Sequence, residues 1–187
     1  MRAAQRFGFL GARPVDEVVE HAREFVRALA THGAPGDPTD ERFDSWAGGL
    51  TVVDIGSGGG IPGLVVANDR PDLAVTLVDR RQKCADFLAR SVTALGLRDR
   101  VTVRCCDTSA LVAAGEQFDA VVARGYGPPS RTLDVAAKIV RPSGRIVISE
   151  PPEGDRWSPD QVARLGLVHR RQGAVTVFTS ASGSTTS

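Results

Sequence analysis

Long apolar runs are missing from this chain of 187 residues. Its longest, such as Leu64–Ala67 and Ala120–Ala123, fall far short of the roughly 20 apolar residues a bilayer-spanning helix needs. The opening Met1-Arg2-Ala3-Ala4-Gln5-Arg6 carries arginines with no apolar segment behind them, unlike a secretory leader. A soluble, cytoplasmic protein with no membrane partner is expected. Cysteine is scarce: Cys84, Cys105 and Cys106 are 3 in all, with no Cys-x-x-Cys spacing and no histidine beside them. That odd, unspaced set argues against a disulfide framework and predicts reduced thiols. The 3 histidines, His21, His32 and His169, are scattered, with neither ligand spacing nor a nucleophile signature. No metal is expected, and any catalysis has to run without a histidine base. Lysine is nearly absent too, Lys83 and Lys138 being the only two, and a net charge of +1 speaks neither for nor against a polyanionic partner.

Apolar residues at 42% and charged residues at 24% are those of an average soluble domain, enough for a core without a staple. Val15, Val18, Val19, Ala22, Phe25, Val26 and Leu29 recur at helical spacing, which predicts an amphipathic helix over Val15–Leu29. Thr31–Glu41, rich in Gly, Pro, Asp and Thr, reads as a loop. From Leu50 onward short apolar runs alternate with helical stretches. Strands are predicted over Leu50–Ile55, Ala74–Asp79, Val101–Arg104, Asp119–Arg124, Gly144–Ser149, Leu165–His169 and Ala174–Thr179. Helices are predicted around Gly63–Asn68, Arg81–Leu95, Thr108–Ala114 and Ser130–Val140. Strand runs without polar alternation, each followed by a helix, mean a parallel sheet covered on both faces. The last two strands meet at Gly173 as a hairpin, so the final strand should run antiparallel. The expected fold is α/β: a doubly wound, Rossmann-like sheet of seven strands, mostly parallel, in the class I methyltransferase arrangement. The expected division is a helical extension over 1–48, the main domain over 49–180 and a disordered Ser/Thr/Gly tail over 181–187.

In such sheets ligands bind outside the carboxyl ends of the strands, where strand order reverses. The first strand ends in Asp54-Ile55-Gly56-Ser57-Gly58-Gly59-Gly60-Ile61-Pro62-Gly63. Glycines let this backbone turn tightly and approach a ligand, and the next helix offers free N–H groups. Gly58–Gly63 also matches the dinucleotide pattern G-x-G-x-x-G, which alone is weak evidence. Asp54 discriminates: a carboxylate there would repel a pyrophosphate but suits the ammonium of a methionine moiety, which favours S-adenosylmethionine over NAD. Asp79, closing the second strand, is spaced to accept from ribose hydroxyls, or could cap the next helix. Asp107, after the third strand, could accept from an adenine amino group or cap its own helix. The candidate cofactor residues are Asp54, Gly56, Ser57, Gly58, Gly60, Asp79, Arg80, Asp107, Thr108 and Arg124.

The fourth strand runs into Arg124-Gly125-Tyr126-Gly127-Pro128-Pro129. This end carries no Asn/Asp-Pro-Pro-Tyr/Phe motif for an exocyclic amine and no Pro-Cys nucleophile for pyrimidine carbon. Methyl transfer is an in-line displacement in which positioning supplies most of the acceleration. A purine ring nitrogen, with its own lone pair, needs no general base. Arg124 and Tyr126 are the catalytic candidates, Arg124 for a phosphate or carbonyl edge and Tyr126 for stacking. The bland alternative makes Arg124 an ion-pair partner and Tyr126 a packing residue.

Val53-Asp54-Ile55-Gly56-Ser57-Gly58-Gly59-Gly60-Ile61-Pro62-Gly63-Leu64 resembles the loop of the bacterial glucose-inhibited division protein B family, the small-subunit rRNA guanine-N7 methyltransferases. Leu77-Val78-Asp79, the helix carrying Lys83, Phe87 and Leu88, and Phe118–Arg124 are similar in order and place. The resemblance, over roughly Thr51–Gly154, implies a Rossmann-like methyltransferase fold, S-adenosylmethionine as donor and rRNA as acceptor. It implies Gly56, Gly58, Gly60 and Asp79 at the cofactor and Arg124 at the cofactor–substrate edge. The chain departs from the family at Cys105-Cys106-Asp107 and at Gly125–Pro129. It keeps only Phe43-Asp44-Ser45-Trp46 of a family element that includes a histidine. The expected activity is S-adenosylmethionine-dependent methyl transfer to a guanine N7 of small-subunit rRNA. A small-molecule methyltransferase and a non-catalytic cofactor-binding relative are the alternatives.

Overall fold

A computed structural model describes residues 5, 6, 8, 13–30, 49–152 and 156–181. The first helix, α1 (Val15–Ala30), has acids Asp16 and Glu17 in its first turn and Arg27 in its last, which suits the helix dipole. Its stripe of Val18, Ala22, Phe25, Ala28 and Leu29 is buried. The opposite face is solvated, with Glu20, Arg23, Glu24 and Arg27 linked as ion pairs. The buried Arg145 donates from Nη1 to the Ala28 carbonyl at 2.7 Å, tying the last turn of α1 to the sheet.

Seven strands follow: β1 (Leu50–Ile55), β2 (Leu73–Asp79), β3 (Val101–Cys105), β4 (Phe118–Ala123), β5 (Val140–Ser149), β6 (Leu167–Gln172) and β7 (Val175–Ser180). They form one sheet in the order β3-β2-β1-β4-β5-β7-β6. The pairings from β3 to β5 are parallel, and β7 runs antiparallel to both β5 and β6. The doubly wound sheet, its strand number and its reversed last strand are as the sequence implied. Strand order reverses between β1 and β4, which opens a crevice at their carboxyl ends.

Helices α2 (Gly63–Asp69) and α3 (Gln82–Ala94) join α1 on one face; α4 (Thr108–Ala113), α5 (Pro129–Ile139) and α6 (Pro159–Arg164) cover the other. The period of two along each strand sorts the core. Val52, Val75, Leu77, Ala120 and Val122 pack with Phe25, Leu64 and Leu88. Val53, Ile55, Val78, Val121 and Ala123 pack with Leu111, Leu133 and Ile139. Because Phe25, Ala28 and Leu29 sit in the same cluster as the strands, α1 shares the core of the main domain. Among the described residues no helix is long and apolar enough to cross a membrane.

The structure corrects the sequence reading in the last third. Helix α6, capped by Ser158 and opened by Pro159, was not expected. It ends at Leu165 and Gly166, which takes φ +66°, so β6 begins at Leu167 rather than Leu165. Strand β5 begins at Val140, earlier than Gly144, because the register slips between the Phe118 and Ala120 pairings. Gly144 is where that irregularity closes: a Cβ there would stand 2.7 Å from the Asp119 carbonyl oxygen. The expected loop over Thr31–Glu41, the Phe43–Trp46 element and the tail beyond residue 181 lie outside the described residues.

Candidate active site

The glycine loop leaves β1 with Gly56, Gly58 and Gly60 at φ +71°, +51° and +87°, backbone that only glycine adopts without strain. The N–H groups of Gly56 and Ser57 donate to the Val78 carbonyl at 2.8 and 2.9 Å. The Ser57 hydroxyl donates to the Asp54 carbonyl at 2.8 Å and accepts from Val78 N–H at 3.0 Å. Ser57 is thus buried, with its hydroxyl and its N–H both spent on fastening the loop and its carbonyl accepting from Gly60 N–H at 2.7 Å. Gly60 also serves packing, since a Cβ there would overlap the Leu64 side chain and stand 3.3 Å from Leu88.

Asp54 is 1% exposed. Its Oδ2 accepts the Gly63 N–H at 3.0 Å, and so caps α2 across the loop, where Pro62 at the cap position supplies no side-chain hydrogen bond. Its Oδ1 is buried without a hydrogen-bond partner among the described residues. Burial pushes the Asp54 carboxyl up to about 7, against the pull of the Gly63 N–H. A buried acceptor left open beside a glycine loop is a place for a cationic donor.

Asp79 ends β2 at 4% exposure. Its Oδ2 accepts from Gly58 N–H at 2.9 Å and Arg81 Nη2 at 3.1 Å; its Oδ1 accepts from Arg81 N–H at 2.9 Å and Arg81 Nε at 3.1 Å. Burial alone would raise its pKa, but the Arg81 guanidinium and the Arg81 and Gly58 N–H groups outweigh it and hold the carboxyl below the usual range. The capping alternative for Asp79 does not hold in its simple form, because Arg81 occupies the N-cap of α3. Asp107 does cap α4, accepting Ser109 N–H at 2.9 Å on Oδ1, and it is exposed as well. The Ser109 N–H, with Arg131 and Arg80 further off, keeps its carboxyl ionised to lower pH than usual.

Of the candidate residues, Gly56, Asp79, Arg80, Asp107, Thr108 and Tyr126 line one cleft of about 250 Å³; Asp54, Ser57, Gly58, Gly60 and Arg124 are not part of its lining. Arg81, Cys106 and Gly125 line it as well, and none of them was among the candidate cofactor residues. Their presence depends on how the loops after β2, β3 and β4 fold toward one another, for which the sequence carries no spacing signal. Tyr126 bridges the cleft: its hydroxyl and the Thr108 hydroxyl share a hydrogen bond, and its ring edge lies 2.9 Å from where a Gly56 Cβ would stand.

Arg124 follows β4 and is half-buried, forming no hydrogen bond or ion pair with a described residue. The ion-pair alternative for it therefore finds no partner among those residues. Burial depresses its pKa, helped by the positive field of Arg13 and opposed by Asp54. His21, half-buried on α1, is pushed toward its neutral form by burial and then by Arg124 and Arg13. Arg124 thus lies within electrostatic reach of Asp54, Arg13 and His21, of which Arg13 and His21 were not foreseen. Among the described residues no group of three or more His, Cys, Asp or Glu could hold a metal.

A seven-stranded sheet with β7 reversed, wound around a glycine loop at the end of β1, defines the class I methyltransferase fold. The family model for GidB, rRNA small subunit methyltransferase G, matches residues 41–151, and the chain belongs to that family. The ribosomal RNA small subunit methyltransferase G of Sorangium cellulosum is 39% identical over 143 residues, covering 75% of this chain and 57% of that protein. The chain spans about half the length of the curated relatives it matches. Among solved structures, an S-adenosylmethionine-dependent methyltransferase from Geobacter sulfurreducens in complex with S-adenosylhomocysteine superposes with a TM-score of 0.55 at 26% identity, over 78% of this chain and 53% of that one. A precorrin 8W decarboxylase from Methanobacterium thermoautotrophicum shares the fold over 91% of this chain and 92% of its own, with a TM-score of 0.56 and 18% identity.

Proposed function

We propose that this chain transfers a methyl group from S-adenosylmethionine to a guanine ring nitrogen, N7, of small-subunit rRNA, in the cytoplasm. The observation that carries the reading is the cleft in which Gly56 of the glycine loop meets Asp79 and Asp107 at adjacent strand ends, with Asp54 buried beneath the loop. The residues fit the donor: Asp54 Oδ1 is a buried acceptor in want of a cation, Asp79 is an ionised acceptor for a diol, and Asp107 is an exposed acceptor for an amine. Family membership supports rRNA as the acceptor.

When bound, S-adenosylmethionine supplies a methyl group on a positively charged sulfur. The chain's own work is then positioning and electrostatics. Gly56, Ser57 and Gly58 hold the loop backbone open along the donor, while Asp54 and Asp79 anchor its two polar ends. Arg124, half-buried and uncommitted, is placed to donate to a carbonyl edge or phosphate of the acceptor. A guanine N7 presents a lone pair without a proton, so no base is required. On this reading α1, whose His21 lies within the field of Arg124, is a side wall of the acceptor site.

The direct test is incorporation of labelled methyl into small-subunit rRNA, followed by mapping of the modified nucleotide. Label at a guanine N7 is the expected result. Label in no RNA, from a sample that binds S-adenosylhomocysteine, would overturn the acceptor and leave the donor standing.

A further inference from the structure

The segment after β4 sets one aromatic ring between two glycines. Gly125 takes φ +64° and Gly127 follows, both exposed, with no atom within 4 Å of the position of a Cβ at either. Between them stands Tyr126, the only tyrosine of the chain. Open space on both sides would let this ring point to solvent. Instead it is half-buried and packed against the core of the α4–α5 face. Its edge lies over Gly56, the first glycine of the loop, and its hydroxyl is fixed to Thr108, a residue only 4% exposed at the start of α4. One side chain from the β4 end therefore touches the β1 end and the β3–α4 junction at once. Gly56 matters here because any side chain on it would displace the ring.

We propose that Tyr126 is a positioning residue for the cofactor, a wall of the nucleoside half of the cleft, and not a stacking platform for the acceptor. The inference rests on the reading of the cleft as a S-adenosylmethionine site. Asp79, Arg80, Asp107 and Thr108 line the cavity that Tyr126 lines, whereas Arg124, the group assigned to the acceptor, does not. A ring held at its edge by Gly56 and at its hydroxyl by Thr108 has fixed orientation, so a planar or apolar part of the ligand meets a preformed surface. The bond to Thr108 sets that orientation.

Because there is a single tyrosine, ring-labelled protein gives one tyrosine spin system, and its shift is unambiguous. Titration with S-adenosylhomocysteine is expected to move that signal with the same Kd that calorimetry gives, while small-subunit RNA alone leaves it in place. Tyr126→Phe, which removes the Thr108 bond, is expected to weaken S-adenosylhomocysteine binding by about threefold to tenfold, the worth of one hydrogen bond. The KM for RNA should stay unchanged. Thr108→Val should weaken it by a similar factor, and the double variant by no more than either alone, since both remove the same bond. Calorimetric binding without movement of the tyrosine signal overturns this inference alone, as does a Tyr126→Phe variant altered only in its KM for RNA. Absence of calorimetric binding in the folded protein overturns the reading of the cleft and this inference with it.

Discussion

The guanidinium of Arg81 spans the carboxylate of Asp79, Nε 3.1 Å from Oδ1 and Nη2 3.1 Å from Oδ2. With Gly58 and Arg81 N–H also bonded to it, this acid already has four donors. A ribose diol that takes Asp79 as its acceptor must therefore displace the guanidinium, whose side chain is 63% exposed although the carboxylate it spans is 4% exposed. Arg81→Leu frees that carboxylate and is expected to tighten S-adenosylhomocysteine binding by up to about fivefold. Asp79→Ala is expected to abolish tight binding while the protein stays folded. Calorimetry on the two variants, with circular dichroism for folding, decides this; weaker binding by Arg81→Leu would show that the guanidinium helps hold the ligand.

Asp54 makes stability depend on pH in an uncommon direction. Its carboxyl titrates at about 7 in the fold against 3.8 for the ordinary group, so the folded state holds the proton longer than the unfolded chain. Stability from this residue is complete below about pH 4, is lost as pH rises toward about 7, and is flat beyond that. Paired acids such as Asp79 and Asp119, whose carboxyls are held low, act oppositely, so the comparison has to be made against a variant. Asp54→Asn can still accept from Gly63 N–H and carries no charge. In urea titrations its stability relative to the parent is expected to improve between about pH 5 and about pH 8. A constant difference across that range would mean that the carboxyl is ionised throughout.

Gly63 sits where α2 is pressed against β1 and β2. A Cβ there would overlap the Leu77 side chain and stand 2.6 Å from Asp54 Oδ2. Gly63→Ala is expected to cost about 1–3 kcal/mol of stability through overpacking, read as a lower urea midpoint. Gly127→Ala, at a site with nothing within 4 Å, is the control and should leave the midpoint unchanged.

Arg124→Ala is expected to leave S-adenosylhomocysteine affinity within about twofold and to reduce turnover by about a hundredfold, the scale on which a misplaced acceptor costs rate. Single-turnover methyl transfer at saturating donor measures it. Unchanged turnover would remove Arg124 from the acceptor side.

Much of this molecule is legible in its residues because parallel βα units repeat a strong local signal. Buried β-branched runs such as Val52–Ile55 and Ala120–Ala123 can only be inner strands, and Gly56–Gly60 after the first of them can only be a tight loop. What failed was local and had physical causes. Six residues of α6, opened by a proline between two strands, are too short for a period to show. The early start of β5 depends on an irregularity that pairing with β4 imposes.

The sequence alone determined the fold class, the place of the glycine loop and the identity of the acids at the strand ends, since each follows from the order of side chains along a single segment. Tertiary structure decided what those groups are free to do. It closed Ser57 into the fold, left Asp54 Oδ1 open, set Arg81 on Asp79 and laid Tyr126 on Gly56 against Thr108. The bonds of Ser57 to Val78 and of Tyr126 to Thr108 join separate strand ends, fixed by how the crossover loops descend on the sheet, and residue order holds no period or spacing from which they could be read.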